Sequence, residues 1–186
     1  MKKIALIVLI FAVVGGTAFA LDLESFPDSI EEGNILISPT FNFGGLGYVA
    51  LGGLMLSVTV SVDYALPIPI MVGGEAGVGF FTVDGGPFMI PILARASWHP
   101  NFEVDSLDVY LRIKLGYNIA FNNEWGGGFS GGGCAGARYF FTDNVGVFGE
   151  FGYDWYGLSL DLGWFGRYST SAYTWFHAGV TFKIGD

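Results

Sequence analysis

The chain of 186 residues has one cysteine, Cys134, so no internal disulfide holds it together and a stapled secreted scaffold is excluded. Its neighbours, "GGGCAGA", give no metal or nucleophile context, and Cys134 reads as a small inward-facing residue. There are two histidines, His99 and His177, and the acids are scattered, so no metal-ligand spacing is legible and neither a metal nor a cofactor is expected. Basic residues are few, eight Lys and Arg against seventeen Asp and Glu. Nucleic acid is therefore not an expected partner, since phosphate binding needs clustered cations. The glycine-rich "WGGGFSGGGCAG" lacks the Lys-Ser/Thr and the following helix of a phosphate loop. Beyond residue 20 no apolar run approaches the ~20 residues of a transmembrane helix.

What is present begins with "MKKIALIVLIFAVVGGTAFA". Lys2 and Lys3, the apolar run Ile4 to Val14 and the Ala18-Phe19-Ala20 site read as a secretory signal peptide, residues 1–20, cleaved after Ala20. Without the two leader lysines, six basic residues face seventeen acidic ones, a net charge of −11. Residues 21–33, "LDLESFPDSIEEG", read as an acidic periplasmic lead-in that is poorly ordered. Residues 34–186 form one domain.

The sequence as a whole is greasy, with 52% hydrophobic residues and a mean hydropathy of +0.51, yet beyond the leader it shows no spanning helix. An exported chain of this kind crosses a bilayer as a closed β-barrel, which leaves no backbone group unpaired. The sequence supports this in "LDVYLRIKLGYNI", Leu107 to Ile119, where apolar residues alternate with Asp108, Tyr110, Arg112, Lys114, Gly116 and Asn118. Comparable segments lie at 34–43, 54–64, 70–81, 88–98, 129–141, 145–156 and 173–184, which makes eight. Turn chemistry separates them: Pro67 and Pro69, Asp84-Gly85-Gly86-Pro87, and Thr142-Asp143-Asn144. Longer connections are expected near 44–53, 120–128 and 157–171. Ten residues at ~3.3 Å each, tilted ~40°, span about 25 Å, the height of a lipid-facing band. The expected fold is all-β, an eight-stranded antiparallel up-and-down transmembrane β-barrel.

With the apolar phase outward, the other phase collects Asp63, Glu75, Asp108, Glu150 and Asp154 against Arg95, Arg112, Lys114, Arg138 and Lys183, with His177 nearby. An eight-stranded barrel is only wide enough for side chains to fill it, so these residues are expected to form a lumenal ion-pair network. Glycines in the same phase, Gly73, Gly77, Gly79, Gly132 and Gly136, make room for large side chains opposite. Aromatics near segment ends, among them Phe81 and Phe140, are expected in interfacial girdles.

The run "GARYFFTDNVGVFGEFGYDW", Gly136 to Trp155, resembles the penultimate hairpin of small outer-membrane β-barrel proteins of the OmpA-transmembrane-domain and OmpX type. The resemblance extends over Asn34 to Ile184 and implies an integral, monomeric barrel in the cell outer membrane, with membrane lipid and the barrel assembly machinery as partners. The chain departs from the family at its end, "VTFKIGD", where a terminal aromatic is usual. OmpW-like small channels are a second relative of similar length.

No enzyme is expected. Some outer-membrane barrels are hydrolases that use His, Ser and an acid, but no Ser follows His99 at their short spacing. His177, placed inward among Trp175, Gly179 and Thr181, has Glu150 or Asp154 as a carboxylate partner and no nucleophile. Three function classes stay open. The first is a non-enzymatic barrel with a filled polar lumen, serving membrane structure or surface interaction through outer loops. The second is an OmpW-like channel for apolar solutes, and the third a soluble periplasmic ligand-binding barrel. For the first, a surface ligand would meet the last loop through Leu158, Leu160, Leu162, Trp164 and Phe165.

Overall fold

A computed structural model of the protein describes residues 25–46, 54–82, 88–102, 104, 106–122, 124–161 and 167–185. The signal segment and residues 21–24 lie outside the described residues. Eight strands follow one another: β1 Ile35–Leu46, β2 Leu54–Ala65, β3 Ile70–Phe81, β4 Phe88–Trp98, β5 Leu107–Asn122, β6 Glu124–Thr142, β7 Val145–Asp161 and β8 Arg167–Ile184. Each pairs antiparallel with its sequence neighbours, and β1 pairs with β8, so the sheet closes into a barrel.

The alternation decides which side is wet. In β5, Leu111, Ile113 and Leu115 are 54%, 68% and 63% exposed, whereas Arg112 and Lys114 between them are 3% and 5% exposed. Every strand repeats this pattern: Phe41, Val60, Val78, Ile92, Phe129, Phe151 and Phe182 all point out. Nine charged side chains in β2 to β7 point in. Asp63, Glu75, Arg95, Asp108, Arg112, Lys114, Arg138, Glu150 and Asp154 are all buried.

The interior is layered along its axis. At the end carrying the termini, Leu36, Ala65, Met71 and Phe140 form an apolar cluster with Ile30, and Phe26 packs against it. At the opposite end Met55, Phe81, Met89, Leu93, Ala120, Tyr156 and Ala172 form a second one. The charges lie between these two plugs. Phe81 and Phe140 are therefore interior, not girdle residues: inward parity outranks a position near a strand end.

The lead-in differs from expectation as well. Its described part, residues 25–33, folds back over the barrel end, and Ile30 is 2% exposed. Ile30 N–H donates to Pro27 O (2.9 Å), Lys183 Nζ to Ser29 O (3.1 Å) and Gly33 N–H to Ala65 O (3.0 Å). Gly33 takes φ +85°, the left-handed turn that feeds the segment into β1. Two apolar side chains in an acidic sequence thus pack on the apolar cluster at this barrel end.

Two of the expected long connections are mostly strand. The ladder of β5 and β6 runs up to Asn122↔Glu124, through glycines 126–128 that carry no alternation signal. That of β7 and β8 runs up to Asp161↔Arg167. Strands β5 to β8 have 16 to 19 residues against 11 or 12 in β1 to β4, so two hairpins rise above the rim on one side. At ~3.3 Å per residue the difference is roughly 15 to 25 Å of strand.

Candidate functional site

The candidate site is the charged middle of the lumen. Arg95 on β4 bonds Glu75 Oε2 through Nη1 at 2.9 Å and sets Nε 2.9 Å from Asp63 Oδ1. Lys114 Nζ lies 2.8 Å from Asp154 Oδ2 and 3.4 Å from Glu75 Oε2, linking two acids from opposite sides. Arg112 donates to Glu150 Oε1, which also accepts from the Tyr110 hydroxyl at 2.7 Å. Arg138 Nη1 donates to Asp108 Oδ2 at 2.9 Å, and its guanidinium lies 5.1 Å from the centre of the Tyr110 ring. Each carboxylate meets a fixed cation, the condition under which buried charge is tolerable. Lys183 stands apart, bonded to the lead-in and 5.8 Å from the Phe140 ring centre.

Glycine makes the longer pairs possible. Asp63, Gly73 and Arg95 are in register on β2, β3 and β4, so the pair meets over a strand without a side chain. Tyr110 reaches Glu150 over Gly136, where an added Cβ would stand 2.6 Å from the tyrosine ring. Around β1 the lumen holds neutral pairs: Ser38 Oγ and Thr181 Oγ1 are 2.9 Å apart, and Asn42 Nδ2 donates to Ser57 Oγ at 3.0 Å.

His177 is buried and inward, but by an irregular route. The ladders of β8 with both neighbours shift register between Phe176 and Thr174. Trp175 and Phe176 consequently both face out, 40% and 49% exposed, which corrects the inward placement of Trp175. Such a bulge re-aims side chains. Here it brings Thr174 Oγ1 to 3.0 Å from His177 Nε2, while Nδ1 lies 3.1 Å from Glu150 Oε2 and Nε2 3.3 Å from Asp154 Oδ2.

The sequence reading leaves His99 beside a turn. The structure puts it inside, with Nε2 2.7 Å from Ser97 Oγ and Nδ1 2.7 Å from Asp108 Oδ1. The signal was the parity of Arg95 and Ser97, carried two residues further. Ser97, His99 and Asp108 have the connectivity of a nucleophile–base–acid relay. All three are buried, the imidazole stacks on Tyr110 at 5.1 Å, and Phe26 covers it at 5.9 Å. Asp108 is shared with Arg138, and Ser97 Oγ is enclosed with the other two. The trio binds the β4–β5 connection to the wall.

Of the expected loop contacts, Leu158 and Leu160 fall in β7 with their side chains outside the described set. Leu162, Trp164 and Phe165 lie outside the described residues altogether.

No family model matches the sequence, and no curated protein matches it significantly. Solved structures do resemble it. Neisserial surface protein A superimposes with a TM-score of 0.61 at 16% identity, over 82% of this chain and 100% of that one. A major outer membrane protein from Thermus thermophilus gives 0.54 at 13% identity, over 83% of this chain and 100% of that one. With the closed eight-strand topology and the inverted arrangement of charge and grease, these likenesses establish the fold as that of the small outer-membrane β-barrels.

Proposed function

We propose that the protein is an integral outer-membrane barrel without enzymatic activity, its lumen closed, serving membrane structure or surface interaction through its outer hairpins. The observation that carries the reading is the radial sorting of side chains: an apolar exterior around a buried, ion-paired set of charges. A soluble ligand-binding barrel would need the reverse. The exposed Leu111, Ile113, Leu115, Phe129 and Phe151 would be an untenable surface in water.

The two plugs weigh against the channel reading. Solute would have to displace Met55, Phe81 and Met89 at one end and Ile30, Met71 and Phe140 at the other. In this reading the end carrying the termini faces the periplasm, and the tall β5–β6 and β7–β8 hairpins stand on the cell surface. Outer-hairpin contact with a surface ligand is part of the proposal, as are a cleaved leader and a monomeric state. Fractionation tests it: the protein should require detergent for release from outer membranes and should migrate differently on gels before and after boiling. Release with the soluble periplasm would overturn it.

A further inference from the structure

Three strands bring one thiol, one carboxylate and one imidazole to a single point in the lumen. Cys134 on β6 places Sγ 3.3 Å from Glu150 Oε2, and His177 Nδ1 on β8 lies 3.1 Å from the same oxygen. All three ligand atoms lie within 4.8 Å of one another, and all three residues are buried. We propose that Cys134, Glu150 and His177 form a binding site for a divalent transition metal of the zinc class.

The spacing suits such an ion. Ligands at ~2.0–2.3 Å in a tetrahedron stand roughly 3.3–3.8 Å apart, close to the two separations found. Thiolate, imidazole and carboxylate together favour zinc and its neighbours over magnesium or calcium, which prefer oxygen alone. Three protein ligands leave a fourth position open.

The surroundings are those that metal-bound residues require. A ligating histidine normally gives its other ring N–H to an oxygen acceptor that fixes ring and tautomer. His177 Nε2 has Thr174 Oγ1 at 3.0 Å and Asp154 Oδ2 at 3.3 Å, both placed by the β8 bulge. Glu150 divides its oxygens. Oε1 is held by Arg112 and Tyr110, so Oε2 is turned toward Cys134 and His177. Gly152, in register with Cys134 on β7, leaves that side of the thiol open, and Arg112 is its register neighbour on β5.

Charge closes the argument. Five buried carboxylates, Asp63, Glu75, Asp108, Glu150 and Asp154, face four Lys or Arg in the same layer, Arg95, Arg112, Lys114 and Arg138. The imbalance is one negative charge. A dication bound to a thiolate and a neutral imidazole adds one positive charge, with the thiol proton released, and brings the layer to neutrality.

Because both ends of the lumen are plugged, the ion enters as the barrel forms. The test is to refold the protein into detergent with Co²⁺, remove free metal with a chelator, and measure retained cobalt and near-ultraviolet absorption. The expected result is one equivalent retained with a thiolate-to-cobalt charge-transfer band, which the single cysteine assigns to Cys134. Cys134→Ser should abolish the band, and His177→Gln should lower retention at least tenfold, with the boiling-dependent gel shift of both variants reporting the barrel. No retained cobalt in the unsubstituted protein, cobalt without the band, or retention unchanged in His177→Gln would each overturn the proposal.

Discussion

Lys114 and Asp154 meet, Nζ to Oδ2 at 2.8 Å, across a strand that contributes only Gly132 between them. The three are in register on β5, β6 and β7, and a Cβ on Gly132 would collide with the aspartate carboxylate and with the backbone of β7. Gly132→Val should therefore part the pair and leave two buried charges without partners. Separating such a pair typically costs ~3–5 kcal/mol. The urea midpoint for folding into micelles should fall accordingly, whereas Gly149→Ala, where nothing lies within 4 Å, should leave it nearly unchanged.

Arg112 is the cation closest to Glu150, and Tyr110, Cys134 and His177 converge on the same carboxylate. Arg112→Ala strips that carboxylate of its counter-charge, for a loss of ~3–5 kcal/mol. Circular dichroism should still report a sheet, because the ladders do not depend on this side chain. An unchanged urea midpoint would show that the pair is not desolvated.

Ile113, 68% exposed at the middle of β5, faces the hydrocarbon in the proposed orientation. Ile113→Arg should lower folding stability in liposomes by ~2–4 kcal/mol, the cost of a cation at the bilayer midplane. Folding efficiency equal to that of the parent protein would place this face elsewhere.

Planar-bilayer recordings on the purified protein should show no steady conductance. Truncating one plug alone, as in Met89→Ala, should leave it silent, since the Ile30–Met71–Phe140 cluster still closes the other end. Stable single-channel steps from the unsubstituted protein would contradict a sealed lumen.

Ser97 should not react with fluorophosphonate probes in the folded barrel, because His99 and Asp108 activate a hydroxyl that no reagent reaches. Labelling lost in His99→Gln would instead reveal an open relay.

The strands were legible because an apolar exterior on one side and a crowded polar lumen on the other impose period two, and β2 to β4 begin and end within a residue of where the alternation does. The glycines opposite large side chains were legible for the same reason. The proposed metal-ligating trio was not: Cys134 and His177 stand 16 and 27 positions from Glu150, and only closure of β6, β7 and β8 brings them together. The β8 bulge left no mark, since Trp175 and Phe176 suit either face by composition. The packed lead-in was hidden too, because its acidity masks Phe26 and Ile30. The extended hairpins escaped because glycines and a mixed polar stretch satisfy a backbone ladder while showing no face.

Several ionic contacts join a strand not to its hairpin partner but to the next one over: β2 to β4 through Asp63 and Arg95, β3 to β5 through Glu75 and Lys114, and β5 to β7 twice. A lone hairpin therefore carries cations and anions whose partners belong to later or earlier turns of the chain. Delivered singly into oil, it would drag naked charge with it. On the proposed reading the barrel enters the membrane as a nearly closed whole, and a chain shortened by one hairpin should be arrested rather than merely weakened.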